Sequence, residues 1–569
     1  MPSPVLTQSK TERPLTVLAG AKRIFQAIYH EQNKPADDDD QVAKIMVSDL
    51  ISKMAFYYEK IRNSVDYKEE YLLRKGAILR ILKRHVVIES SLTGNKAEDV
   101  NKLSASLLSE LIRAGYLANN KLPVSSIDDV AVILDKYLKL KNYALMRVGT
   151  DKFFYKNTKL IRNETETRTE LTNWIVGMVA SEVEEYLSYS KATEVTVGYM
   201  YQLINNNIRL PADLPYDDDL PIQVYLGIYR NFLKLDDYDL LSYVLLKYYY
   251  PTWGKMPDED IEHVASKIGE LRKLVHQQIN HPLRPQLKRI IHHYTVYFTI
   301  LKDVVEENPK KVFEDLKNDP RAFSRQIKQA CIKRYTLAKK RLWHSAVRSI
   351  IYIFLTKSVF AVLLEVPATQ FFGEQINNFS MAINIAFPAI VLFVAVAVIR
   401  LPGAHNTEKI VKGVEEIVFA EHQRQQPIIL RKPVKRGAII SSIFTIIYTI
   451  TFFLSFGLVI WALDKIQFSW VSIIIFLFFL VFAAFFAVRI RRGPKSLIVV
   501  EPKENIFTFL WNFFYIPVIS TGKWLSNKFS RINVFVFILD FIIEAPFKVF
   551  VGIAEEWTKY VRERKEEIT

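Results

Sequence analysis

The chain has one cysteine, Cys331, among 569 residues. That excludes a disulfide framework, a cysteine-based zinc site and an iron–sulfur cluster. Glycine is nearly as scarce, with 18 residues against a usual share of about 7%. Glycine-rich β architectures are disfavoured and long helices are favoured.

Catalytic signatures are missing as well. There is no GxxxxGK[ST] loop, and Thr521-Gly522-Lys523 lacks both the first glycine and a preceding strand. GxGxxG, GxSxG and HExxH do not occur. No catalytic, cofactor-binding or metal-ligating residue is nominated, and the expectation is a protein that is not an enzyme. Residues Met1–Asn33 also lack the apolar run of a cleavable signal.

What is present is apolar surface and one-sided charge. Half of the residues are hydrophobic, which excludes disorder as the main state. The formal charge of +16 invites a nucleic-acid reading, but its location argues otherwise. Residues 1–320 hold equal numbers of basic and acidic side chains, so the whole excess falls in 321–569. That is where the apolar runs lie. Anionic lipid headgroups, not nucleic acid, are the partner such a distribution fits.

A membrane-crossing helix needs about 20 largely apolar residues. Four segments qualify: Ala346–Val366, Met381–Ile399, Ile439–Leu463 and Ser469–Val488. The last three contain no charge, whereas the first carries Lys357 and Glu365. Basic residues then alternate along the connections. Nine lie in 321–348 at the approach to the first segment, none in 367–380, eight in 400–436, one in 464–468, and four in 489–495. This is the pattern of four crossings with both termini on the cytoplasmic side. Headgroup contacts are expected from Arg334, Lys339, Lys340, Arg341, Arg431, Lys432, Lys435, Arg436, Arg489, Arg491 and Arg492. A bacterial cytoplasmic membrane is the expected location.

The resulting fold class is all-α. Residues 1–40 form an N-terminus with one short helix, and 41–320 a helical cytosolic domain. A basic juxtamembrane helix spans 321–345, four transmembrane helices 346–492, and an interfacial, amphipathic region 493–569. Helical spacing predicts a helix over Val42–Val65, with Ile45, Met46, Leu50 and Ile51 on one face. Further helices are expected near 71–87, 98–116, 162–188, 191–208, 220–249, 256–279 and 284–307. Residues 321–348 lack proline and glycine and should run as one helix into the first span.

Candidates for chemistry divide into those with bland readings and those without. His276, His281, His292 and His293 are spaced unlike a single-face zinc site and read as polar surface groups. Asp217–Asp219 and Asp236, Asp237 and Asp239 lack the order of a calcium loop and read as helix-start acids. The aromatic run Tyr248–Trp253 reads as a packed helix end, with partner docking as the alternative.

Lys357 is harder to dismiss. It lies nine residues beyond Arg348, about 13 Å into the hydrocarbon layer. Glu365 follows two turns later, about 80° round the same helix. Asn384 adds a polar group to the second span. Either Lys357 snorkels and Glu365 sits at the interface, or these groups line a polar path.

In the tail, Ile506–Ile519 is too short to span, and Pro517 is expected to interrupt it. In Ile532–Glu555, Asn533, Asp540, Glu544, Lys548 and Glu555 share one face of a helix expected to lie in the membrane plane. Asp540 or Glu544 is a further candidate counter-ion for Lys357. Two functions compete. One is a non-enzymatic, membrane-anchored scaffold with protein partners for its cytosolic domain. The other is a homo-oligomeric channel or transporter around Lys357 and Glu365.

Overall fold

A computed structural model describes residues 15–33, 43–48, 56, 57, 59, 60, 70–92, 100–148, 164–374, 378–399, 401–433, 437–500, 506–531, 553, 556, 557, 560, 561 and 564. Lys435, Arg436, Asp540 and Glu544 lie outside the described residues, as does nearly all of the expected in-plane helix. The fold is all-α, with two strands of only two residues each among the described residues. By internal packing the chain divides into two units, Met1–Tyr29 with His292–Asn533 and His30–Ile291 with Val534–Thr569.

The first unit holds four helices long and apolar enough to cross a membrane. Asp319 starts the first, its carboxylate accepting the Arg321 N–H at 3.0 Å. Pro320 occupies the first turn, where a missing N–H leaves no bond unmade. The helix then runs unbroken from Pro320 to Phe360, the expected continuation from basic segment into span. It widens into a π turn over Ala361–Glu365 and resumes over Val366–Phe371. The expected loop start at Pro367 is thus corrected. Proline cannot donate to the carbonyl four residues back, Leu363, and its ring crowds that carbonyl, so the preceding turn opens instead of the helix ending.

The second span, Asn378–Ala397, carries Pro388 within it. The third is Ala438–Lys465 and the fourth Trp470–Lys495, begun by Ser469, whose Oγ accepts the Ser472 N–H at 3.0 Å. The first, second and fourth spans share one core, in which Leu342, Ala346 and Ile353 meet Leu392, Val396, Phe479, Ala483 and Ala487. Small residues along the fourth span let the backbones approach closely.

Residues Ile506–Arg531 form a single helix through Pro517, not the interrupted short segment expected. The lost N–H removes only one bond, and Ser455 of the third span donates to the neighbouring Phe514 carbonyl at 3.0 Å. This helix packs on the third and fourth spans. At Gly522 a Cβ would stand 2.6 Å from the Val481 carbonyl oxygen.

The connection 400–436 also holds an unexpected helix, Ala404–Val418. Ile410, Val411, Val414, Ile417 and Val418 bury one face of it, and Gly413 accommodates the Tyr297 ring. Asn406 ties it to the segment after the fourth span, accepting the Val499 N–H at 2.7 Å and donating to the Leu497 carbonyl at 3.0 Å.

In the second unit, helix Ser125–Arg147 packs against Val100–Arg113, Glu164–Leu187 and Asp258–Ser266. Leu107, Leu108, Val130, Leu134, Leu171, Met178 and Val183 lie in its buried interior. Two expectations are corrected here. Residues 43–48 are extended, not helical: Ile45 donates to the Leu122 carbonyl at 2.9 Å and Val47 to Asn119 at 3.1 Å. A long-range pairing has overridden local periodicity. The stretch 220–249 is two helices, Asp219–Asn231 and Tyr238–Tyr249, the second capped by the Asp237 carboxylate at 3.2 Å from the Leu240 N–H.

Candidate intramembrane polar site

Lys357 and Glu365 belong to one helix and meet. The Lys357 Nζ lies 3.1 Å from the Glu365 Oε2, and the two side chains are 0% and 4% exposed. An unbroken α-helix would leave an eight-residue pair about 80° apart. The π turn between them takes roughly 4.4 residues per turn, so the extra residue removes most of that offset. Its i→i+5 bond, from the Val366 N–H to the Ala361 carbonyl, is in place. Pro367 is the sequence feature that carries this register change.

Two further spans complete the cluster. Asn384 of the second span donates through Nδ2 to the Glu365 Oε1. Ser472 of the fourth span donates its hydroxyl to the same oxygen at 2.6 Å. The Lys357 ammonium lies 4.9 Å from the Phe479 ring centroid, over its electron-rich face. Glu365 therefore receives a charged donor and two neutral ones, which is the arrangement a buried carboxylate requires. Asn384 is fully buried, and its Oδ1 has no hydrogen-bond partner among the described residues.

Of the five polar residues singled out in sequence, Lys357, Glu365 and Asn384 come together, and Asp540 and Glu544 fall outside the described residues. Ser472 was not anticipated. A serine two residues into an uncharged apolar run carries no signal of its partner. Among the basic residues, Lys339, Lys340, Arg341, Arg431, Lys432, Arg491 and Arg492 are exposed, and Arg489 is half-buried. Arg334 is committed within the protein: it pairs with both oxygens of Asp303, with Nη2 2.7 Å from Oδ1.

The remaining sequence candidates have structural duties. The His281 Nδ1 accepts the Leu283 N–H at 3.2 Å, and its Nε2 faces the Asp219 carboxylate at 3.3 Å. Burial holds its pKa below the usual value, with Asp219 opposing. His276 contacts Asn280, and the His292 Nε2 lies 3.2 Å from the Ile498 carbonyl. No group of three or more His, Cys, Asp or Glu is placed to hold a metal among the described residues. Trp253 is buried, its indole donating to Glu182 at 2.9 Å. Lys136 meets the same carboxylate at 2.6 Å. Burial lowers the Lys136 pKa, and Glu182 opposes that shift.

Four apolar spans and a polar cluster enclosed between three of them define an all-α membrane protein. No model of a protein family, no curated protein and no solved structure matches the chain.

Proposed function

We propose that this protein is a non-enzymatic scaffold anchored in a membrane, with its large helical part recruiting protein partners on the cytoplasmic side. The supporting observation is the closure of the Lys357–Glu365–Asn384–Ser472 cluster. Lys357 and Glu365 spend their polar atoms on protein partners and on each other, so they bind spans together instead of presenting sites to a passing solute. Exposed Lys339, Lys340, Arg341, Arg491 and Arg492 flank the spans on the side assigned to the cytoplasm and would meet anionic headgroups. A bacterial cytoplasmic membrane suits this reading.

A second reading rests on the buried, unpartnered Asn384 Oδ1. In a homo-oligomeric channel or transporter that oxygen would be a coordination point on a polar path. Reconstitution separates the two. The scaffold reading expects a purified protein whose liposomes show no ion flux above empty vesicles, in any oligomeric state. Flux abolished by Glu365→Gln in a folded protein would overturn it in favour of the path.

A further inference from the structure

A recess of about 380 Å³, counting its open mouth, lies in the second unit between helix Asp219–Asn231 and the start of helix Arg284–Glu307. Gly227 and Arg230 contribute from the first helix, Arg284, Leu287 and Lys288 from the second, and Asp236 from the turn between Asn231 and Tyr238. Gly227 lets the walls approach, since a Cβ there would stand 2.2 Å from the Ile291 Cδ1.

Three cations and one carboxylate face this space, a net charge of +2. Asp236 is shared: Oδ1 lies 3.2 Å from the Arg230 Nε and Oδ2 3.1 Å from the Arg284 Nη2. Lys288 is exposed at the rim. Arg230 is unusual because its side chain is only 7% exposed. Its Nη2 donates to the Ile279 carbonyl at 2.8 Å, while its buried Nε, beside Asp236, makes no well-aligned hydrogen bond among the described residues. Burial, followed by the neighbouring Arg284, pushes its pKa down to about 10, with Asp236 opposing. Within the recess, the single carboxylate of Asp236 thus stands against three cations. The first turn of the Arg284 helix adds its positive dipole end.

We propose that the recess binds a phosphomonoester dianion, with Arg230, Arg284 and Lys288 as its ligands. The two guanidiniums share one carboxylate and one backbone carbonyl between them, so their N–H groups can also reach phosphate oxygens, and a dianion balances the net charge. A soluble phosphate ester or a lipid headgroup supplies the same chemistry. Binding here requires neither the scaffold role nor the polar path.

The test uses the full-length protein in maltoside micelles, which carry no phosphate. Glycerol 3-phosphate is titrated calorimetrically, and vesicles with and without phosphatidic acid are offered in flotation. Saturable binding is expected, weakened at least tenfold by Arg284→Gln and by Lys288→Gln. Lys191→Gln, which removes a lysine paired with Glu194, should leave it unchanged. Saturation by the soluble ester points to a free ligand. Saturation only by phosphatidic acid vesicles, with the same pattern across variants, points to a headgroup. Lys288 is exposed, so its variant decides even if Arg284→Gln fails to fold. No saturable binding of either probe, or equal binding by Lys288→Gln, overturns the proposal.

Discussion

Lys357 and Glu365 stand eight residues apart on one helix and make a buried ion pair, Nζ to Oε2 3.1 Å, because a π turn between them brings the two side chains onto the same face. The pair ties the first span to the second and fourth through the other Glu365 oxygen. Removing one partner leaves an uncompensated charge in an apolar bundle. Glu365→Gln and Lys357→Met should each cost about 3 kcal/mol or more. The Lys357→Met/Glu365→Gln double variant should cost less than the sum of the two single ones. Unfolding of the micelle-solubilised variants measures the cycle, and additive single costs would show that the two groups do not interact.

Asn384 is a milder case. Asn384→Leu removes one donor from Glu365 but also removes the stranded Oδ1, so a loss of about 1 kcal/mol is expected. Asn384→Asp places a second carboxylate against Glu365 and should destabilise clearly more. The order of the two melting temperatures checks this; a reversed order contradicts the contact.

Gly522→Val should loosen the C-terminal helix from the fourth span. The new Cβ would meet the Val481 carbonyl oxygen at 2.6 Å and the Phe485 Cβ at 2.9 Å. Overpacking of this kind costs about 1–3 kcal/mol. Gly457→Val, in open space on the third span, serves as the control. Melting and limited proteolysis of both variants should separate them, with Gly457→Val close to the unaltered protein.

His281 predicts a pH dependence. Burial lowers its folded pKa below the unfolded value, about 6.5, with Asp219 working against the shift. The unfolded chain therefore binds more protons between the two values, and stability must rise with pH through that window. It falls as pH drops below about 6.5 and levels off once the folded imidazole also charges. His281→Asn should flatten this part of the melting-temperature profile between pH 5 and 7.5. An unchanged slope would assign it to other groups.

Much of the membrane part was legible because a charge stands out against an apolar background. Lys357, Glu365 and Asn384 could be singled out, and the helical angle already put the first two within about 80° of each other. What closed the remaining gap was Pro367, whose effect on the turn before it depends on whether the chain continues as helix beyond. Ser472 and Ser455 gave no such contrast, since a hydroxyl in a span can satisfy itself on its own backbone. In the second unit the difficulty is the reverse. Lys136 and Glu182 are two among many charged residues, 46 positions apart, and only packing selects that pair. The spacing of Ile410, Val414 and Ile417 fits the helix Ala404–Val418, but the eight basic residues of 400–436 are the stronger signal in that segment. Residues 43–48 show the limit of periodicity. Their apolar spacing fits a helix, and the partners at 119–124 decide otherwise.

Sidedness is the claim on which the anchored-scaffold account depends. Cys331 is buried, so replacing it with serine gives a background for single introduced cysteines. Phe371→Cys lies at the far end of the first membrane-crossing helix, at a position 85% exposed, and Gln425→Cys lies in the exposed part of the 401–433 connection. In intact cells an impermeant maleimide should label Phe371→Cys at once and reach Gln425→Cys only after permeabilisation. Labelling of Gln425→Cys from outside, with Phe371→Cys protected, would contradict the four-crossing arrangement with cytoplasmic termini.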